Sequence, residues 1–80
     1  MNTATNTHDF ELDARGLKCP LPILRTKKAI NGMSPGQVLK VVATDPGSIK
    51  DMQAFATQTG NPLLSTAEDG KDYVFFLKKK

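Results

Sequence analysis

The first part of the chain carries one strand-like and one helix-like pattern. Phe10-Glu11-Leu12 alternates apolar and polar residues, which predicts a half-buried strand that Arg15-Gly16 interrupts. From Pro20 to about Asn31 apolar residues recur at helical spacing, and Gly32 predicts a left-handed stop. The expected buried stripe of this first helix consists of Ile23, Leu24 and Ile30.

The middle of the chain repeats this order. Residues 37–44 are rich in β-branched side chains, which predicts a second strand. Asp45-Pro46 then opens a second helix that ends at Gly60, with Asn61-Pro62 beyond it. The residues expected to face the core are Leu39, Val41 and Ala43 from the strand and Ile49, Met52, Phe55 and Ala56 from the helix.

Two further strands, at about 63–67 and 73–77, flank the Asp69-Gly70 pair, which is a strong hairpin signal. The order is therefore βαβαββ, and two right-handed crossovers would place both helices on one face of the sheet, in a two-layer α/β sandwich. The loops after the first two strands would meet at one edge, which brings Cys19 and Asp45 together. The opposite face would have no cover from this chain and would present Val38, Lys40, Val42, Val74, Phe76 and Lys78.

Length and composition fit one small domain. The chain has 80 residues, of which 39% are hydrophobic and 24% charged, and no apolar run approaches the roughly 20 residues that span a bilayer. Residues 1–9 are expected to form a flexible polar tail, without the apolar centre of a secretory signal, ahead of a single domain over 10–80. A single cysteine excludes an internal disulfide, and these features together favour the reducing cytoplasm.

The charge balance adds one local feature. Eleven basic and eight acidic residues give a net charge of +3, a modest excess that suits an acidic partner without requiring one. Five of the basic residues lie within 14 residues and bracket Cys19, whereas the C-terminal run Lys78–Lys80 is interpreted as solvated. The five are Arg15, Lys18, Arg25, Lys27 and Lys28.

Chemistry is expected at Cys19-Pro20-Leu21-Pro22. Proline favours the first helical position, which would make Cys19 the N-cap of the first helix, and Asp45 would stand at the same place before the second. A thiolate there would accept a hydrogen bond from the N–H of Leu21 and would be stabilised by the helix dipole.

The neighbouring charges extend this prediction. With Arg15 and Lys18 close by, we expect an exposed, nucleophilic Cys19 whose pKa lies below the ordinary value of roughly 8.5. Asp45, on the same edge, would oppose the shift by like-charge repulsion.

Several thiol chemistries are excluded by what accompanies Cys19. Dithiol exchange needs a second cysteine, and Pro22 stands where that partner would be. A cysteine hydrolase would need a histidine, and the only one, His8, falls in the expected tail. One cysteine and one remote histidine also make a poor metal site. With no glycine-rich phosphate loop either, we predict no cofactor and no metal. What remains is a thiol that accepts a group from one protein and passes it to another.

The segment LDARGLKCPLP, residues 12–22, resembles the opening signature of the TusA/SirA-like sulfur-carrier family, with its Cys-Pro-X-Pro motif. The resemblance extends over about residues 10–78. Further segments similar to that family are Ser34-Pro35-Gly36-Gln37 ahead of a strand, Asp45-Pro46 with Asp51, and the Asp69-Gly70 hairpin.

The resemblance implies a small cytosolic carrier of sulfane sulfur, with Cys19 bearing the persulfide and Pro20 and Pro22 as the motif prolines. The sulfur would come from a cysteine desulfurase or a rhodanese-type sulfurtransferase and pass to tRNA thiolation, molybdenum cofactor assembly or sulfur oxidation. Leu21 differs from the acidic residue of many tRNA-pathway members and looks more like members associated with sulfur oxidation. The implied fold is a two-layer sandwich with a mixed four-stranded sheet, similar to the C-terminal domain of a translation initiation factor. Such a protein acts in a relay rather than as a free-standing catalyst.

Two other classes of function stay open at this point. A nucleic-acid-binding module would suit the pI near 9.2, but five aromatic residues are few for a surface that stacks bases, so direct nucleic-acid binding is disfavoured. A regulatory or scaffolding domain would bind its partners without using Cys19.

Overall fold

The computed structural model describes residues 8–80 and confirms the βαβαββ order. The strands are β1 (Phe10–Ala14), β2 (Val38–Ala43), β3 (Leu63–Asp69) and β4 (Asp72–Lys78), and the helices are α1 (Leu21–Asn31) and α2 (Ser48–Thr59). Most of the tail predicted over 1–9 lies outside the described residues, but Asp9 donates its backbone N–H to the Val38 carbonyl at 2.8 Å. Over the described part of the chain, no helix is long and apolar enough to cross a membrane.

The four strands form one mixed sheet in the order β1-β2-β4-β3. β1 and β2 are parallel, with Ala14 beside Ala43 at their carboxyl ends. β4 runs antiparallel to both of its neighbours, β2 and β3. Because β1 and β2 are parallel, the loops that lead from them into α1 and α2 leave the sheet at the same edge.

Within residues 8–80, one hydrophobic core lies between the sheet and the two helices, which contact each other on the same face. Strand alternation sends every second side chain of β2 and β4 into it, as predicted. Burial of a large apolar side chain stabilises the fold by about 1.5–3 kcal/mol. The fully buried members of this core include Leu39, Val41, Ala43, Phe75 and Leu77 from the sheet and Ile30 and Met52 from the helices.

One position of the α1 stripe was predicted wrongly. Ile30 is buried and Ile23 packs against the core, but Leu24 is 53% exposed. Between the first turn and Ile30, the residue buried against the core is Thr26. Its hydroxyl donates a hydrogen bond to the Pro22 carbonyl at 2.8 Å, so that no polar group of this side chain is left without a partner. Leu24 consequently stays at the surface.

The two helices end differently. α2 ends at Gly60, as predicted, with a left-handed φ of +77° and an N–H that donates to the Ala56 carbonyl. The left-handed stop predicted for Gly32 is wrong, because its φ is −89°. α1 instead ends in a tightened turn, in which the Gly32 N–H donates to the Ala29 carbonyl at 3.2 Å.

The sheet face away from the helices is more covered than the sequence suggested. The ring of His8 lies against that of Phe76, with centroids 5.9 Å apart, and His8 Nε2 is 3.3 Å from Glu11 Oε1. His8, expected in the flexible tail, therefore shields part of this face. The apolar residues predicted there are all half-buried: Val38, Val42, Val74 and Phe76.

Candidate functional site

The loop between β1 and α1 carries Cys19 and is tied to the neighbouring strand. The Gly16 N–H donates to Thr44 Oγ1 at 2.9 Å, and Thr44 directly follows β2. Gly16 has φ +80°, a left-handed conformation that glycine adopts without strain. The hydrogen bond to Thr44 and the turn at Gly16 place the Cys19 loop at the edge of the sheet where α2 begins.

Cys19 does not cap α1, contrary to the prediction. The helix begins at Leu21, its N-cap is Pro20, the Cys19–Pro20 peptide bond is cis, and no side chain caps the helix. The Leu21 N–H that was expected to bond the thiolate donates to the backbone carbonyl of Lys18 at 2.9 Å. Pro22 is buried in the first turn. Both prolines therefore lie at the start of the helix, as predicted, but the thiol lies one residue further out.

Asp45 reaches Cys19, as the parallel strands predicted, and it does so through the backbone. Its Oδ2 accepts the Cys19 N–H at 2.9 Å. The expectation that Asp45 also stands as the N-cap of α2 is wrong: that position is Gly47, and no side chain caps the helix. The carboxylate of Asp45 thus holds the loop before α1 rather than the start of α2.

The thiol contacts a residue that the sequence analysis did not place in the site. Cys19 Sγ donates a hydrogen bond to Oδ2 of Asp51, in the first turn of α2, at 2.8 Å. This hydrogen bond is the largest cause of a raised pKa of the Cys19 thiol, followed by desolvation and by the negative charges of Asp51 and Asp45. The predicted lowering of this pKa is therefore wrong, because carboxylates rather than cations act on the thiol.

The two cations expected beside the thiol, Arg15 and Lys18, do not shift its pKa. The Arg15 guanidinium pairs with both carboxylate oxygens of Asp13, at 2.9 and 3.0 Å, which raises the pKa of Arg15 and lowers that of Asp13 to about 2. Lys18 is exposed, and its backbone carbonyl supports the start of α1. Neither residue is among the groups that shift the pKa of Cys19.

Cys19 opens into a groove of about 360 Å³ between α1 and α2, the thiol groove. Its lining includes Cys19, Ile23, Leu24 and Lys27 from the α1 side and Asp51 and Ala54 from α2. A second groove, of about 730 Å³, follows the β1 side of α1 and is lined by Leu21, Leu24, Arg25 and Lys28, among others. Leu24 lines both grooves, and exposed basic residues of α1 line each of them.

The raised pKa predicts a slow thiol at neutral pH. Because the thiolate is the nucleophile, we expect iodoacetamide to alkylate folded Cys19 at pH 7 more slowly than an unstructured peptide thiol. The rate should also keep rising above the pH at which a peptide thiol has reached its plateau. Rates measured from about pH 6 to about pH 10 on the folded and the urea-unfolded chain provide the check. A folded midpoint at or below the unfolded one would contradict the raised pKa.

Besides the family resemblance, which included Asp51, the order of elements contained a signal for this residue. The start of a helix that follows the second of two parallel strands lies at the same sheet edge as the loop after the first strand. An acidic residue in the first turn of α2 therefore lies close to that loop, and Asp51 is the acidic residue there.

Fold and site together define a small α/β sandwich domain that presents one exposed thiol at the entrance to its first helix. The chain belongs to the TusA sulfurtransferase family, whose profile matches residues 10–79. This match confirms the family indicated by the Cys-Pro-X-Pro motif.

Relatives and solved structures agree with this membership. The chain is 63% identical over 71 residues to the sulfur carrier protein TusA of Allochromatium vinosum, a match that covers 89% of this chain and 93% of the relative. It is 40% identical over 73 residues to the sulfur carrier protein TusA of Pseudomonas entomophila, covering 91% of each. The crystal structure of a SirA-like protein from Desulfitobacterium hafniense matches with a TM-score of 0.77 at 25% identity, over 88% of this chain and 96% of that one. These matches confirm the predicted fold class.

Proposed function

We propose that the protein is a sulfur carrier that holds sulfane sulfur as a persulfide on Cys19. The observation that carries the proposal is the exposed thiol of the chain's single cysteine at the mouth of the thiol groove. The chain's relatives named sulfur carrier proteins match it over nearly their whole length. The prolines on one side of Cys19 and Asp45 on the other fix its backbone, so that the sulfur is presented in a defined direction.

The transfer needs no cofactor and no external oxidant. Cys19 Sγ, after losing its proton to solvent, attacks the outer sulfur of a donor persulfide, so that a new S–S bond forms on Cys19. The donor's S–S bond breaks, and the donor's own cysteine leaves as a thiolate that takes up a proton. Release to an acceptor thiol repeats the same exchange with Cys19 as the leaving group. One sulfur atom moves, and the total oxidation state of the pair is unchanged.

The partners are proteins on both sides of this relay. We propose a cysteine desulfurase or a rhodanese-type protein as donor, and an acceptor in tRNA thiolation, molybdenum cofactor assembly or sulfur oxidation. Leu21, two residues from Cys19 in the chain, is 44% exposed, and it offers such an acceptor an apolar contact in place of the acidic residue of many tRNA-pathway members. A reducing cytoplasm is the compartment in which a single unpaired cysteine suits this role.

The α1 side of the thiol is the surface that we propose for donor docking. Exposed Leu21 and Leu24 give it apolar contact area, and Arg25, Lys27 and Lys28 give it positive charge. An acidic surface around a donor's persulfide would be steered to this position.

Intact mass tests the proposed function. After incubation with a cysteine desulfurase and cysteine in buffer without reductant, we expect the chain to gain one sulfur, about 32 Da, that dithiothreitol removes. Peptide mapping should place the sulfur on Cys19, and a Cys19→Ala variant should gain none. A gain of mass in that variant, or none in the native chain with any sulfur donor, would contradict the proposal.

A further inference from the structure

Two carboxylates hold Cys19, and each accepts a hydrogen bond from a different part of the residue. Asp45 Oδ2 accepts the backbone N–H, and Asp51 Oδ2 accepts the Sγ proton at 2.8 Å. The backbone bond does not depend on what the sulfur carries, whereas the side-chain bond requires a hydrogen on Sγ. The state of the sulfur therefore decides whether the second bond exists.

A carboxylate in this position is a hydrogen-bond acceptor and a poor base for a thiol. Ordinary carboxyl groups titrate near pH 4 and ordinary thiols near about 8.5, so that a carboxylate accepts the bond without removing the proton. The bond stabilises the neutral thiol over the thiolate, because a thiolate facing a carboxylate has lost the bond and is repelled. The contact therefore raises the pKa of the Cys19 thiol.

We propose that Asp51 is a positioning residue that distinguishes the empty carrier from the loaded one, holding the Cys19 side chain by its S–H group and releasing it when Sγ becomes part of a persulfide. This inference rests on the proposed function. In the persulfide, Sγ is bonded to carbon and to the outer sulfur and has no hydrogen to donate. Asp51 and Asp45 repel a negative charge on the outer sulfur. Lys27, a cation that lines the same groove, attracts that charge.

The consequence is that loading frees the sulfur for delivery. An empty carrier keeps its thiol protonated and directed at α2, which limits reaction with stray electrophiles. A loaded carrier has lost that tether, and its outer sulfur is free to turn toward a partner docked against α1. Asp51 itself makes no bond to the transferred sulfur.

The first arm of the test requires no sulfur donor. Asp51→Asn removes the charge while nearly keeping the shape, and we expect the midpoint of the alkylation pH profile to fall, with a rate at pH 7 at least about threefold above that of the native chain. Asp51→Glu, which keeps a carboxylate, should retain a profile closer to the native one. Glu11→Gln is the matched control: it makes the same change in net charge on β1, at an exposed residue that contacts His8 rather than Cys19. Identical profiles for Asp51→Asn and the native chain would overturn the proposal.

The second arm reads the loaded state directly and needs no variant. The native chain is loaded with inorganic polysulfide, and the ¹³C shift of the Asp51 carboxyl carbon is compared before and after loading. We expect a shift at Asp51 that dithiothreitol reverses, with little change at Glu11. An Asp51 carboxyl signal unmoved in a chain shown by mass to carry sulfur would overturn the proposal. Polysulfide replaces the protein donor in this experiment. A chain that accepts no sulfur from a desulfurase would therefore count against the proposed function, while the shift measured at Asp51 would still test the role of Asp51.

Discussion

Phe75→Ala is expected to lower the free energy of unfolding by about 3–5 kcal/mol. Phe75 is fully buried on β4, an inner strand of the sheet, where it stands between Val41 of β2 and Thr66 of β3. Truncation removes buried apolar area and leaves a cavity that both neighbouring strands border. Since domains of this kind are stable by only about 5–15 kcal/mol, this loss removes a large fraction of the stability and should lower the urea midpoint accordingly.

Urea unfolding followed by circular dichroism measures this effect. Phe10→Ala is the matched control, because Phe10 lies on the edge strand β1 and is 47% exposed, so that its loss should cost about 1 kcal/mol or less. Equal midpoints for the two variants would contradict the placement of Phe75 at the centre of the core.

Lys27→Glu is expected to slow sulfur uptake from a protein donor by at least about tenfold at low salt. Lys27 lines the thiol groove together with Cys19 and Asp51. The substitution places a negative charge beside Asp51 and repels the acidic donor surface that we propose for this position. The defect should shrink as salt increases, because exposed charges are screened over about 10 Å at 0.1 M.

The measurement is the rate of mass gain with a desulfurase at two salt concentrations. Lys78→Glu is the control: Lys78 is exposed and pairs with Val38 at the end of the sheet away from Cys19. Inorganic polysulfide is a small anion without a docking surface, so Lys27→Glu should slow loading by polysulfide far less than loading by the protein donor. Equal uptake from the protein donor by Lys27→Glu and the native chain would show that the donor docks elsewhere.

The order of elements was predictable because local signals agreed with one another. Alternation in β2 placed Leu39, Val41 and Ala43 inward, and the Asp69-Gly70 pair joined β3 to β4. The error in the buried stripe of α1 came from competition between two residues for one inner position, while the type of element was predicted correctly. In α1, Thr26 satisfies its hydroxyl on the Pro22 carbonyl and thereby takes an inner place that periodicity alone gave to Leu24.

The proximity of Asp45 to Cys19 was predicted correctly, whereas the direction of the thiol's pKa shift was predicted wrongly. Parallel strands were sufficient to bring Asp45 to Cys19, and this contact is observed. The sign of the thiol's pKa shift depended on details that sequence proximity does not give. A helix start displaced by one residue removed the expected donor, and Arg15, four residues from Cys19, pairs with Asp13 instead. The donor, the acceptor and the pathway stay predictions.

The residues that act on the Cys19 thiol come from a different part of the chain than its motif does. Asp45 and Asp51 are 26 and 32 residues from Cys19, and they reach it only because β2 and the start of α2 lie beside the β1–α1 loop. A short peptide copied from residues 17–24, or the Cys-Pro-Leu-Pro motif grafted onto the start of an unrelated helix, would carry a thiol without the raised pKa. A transplant that reproduces this thiol has to bring β2 and the first turn of α2 with it.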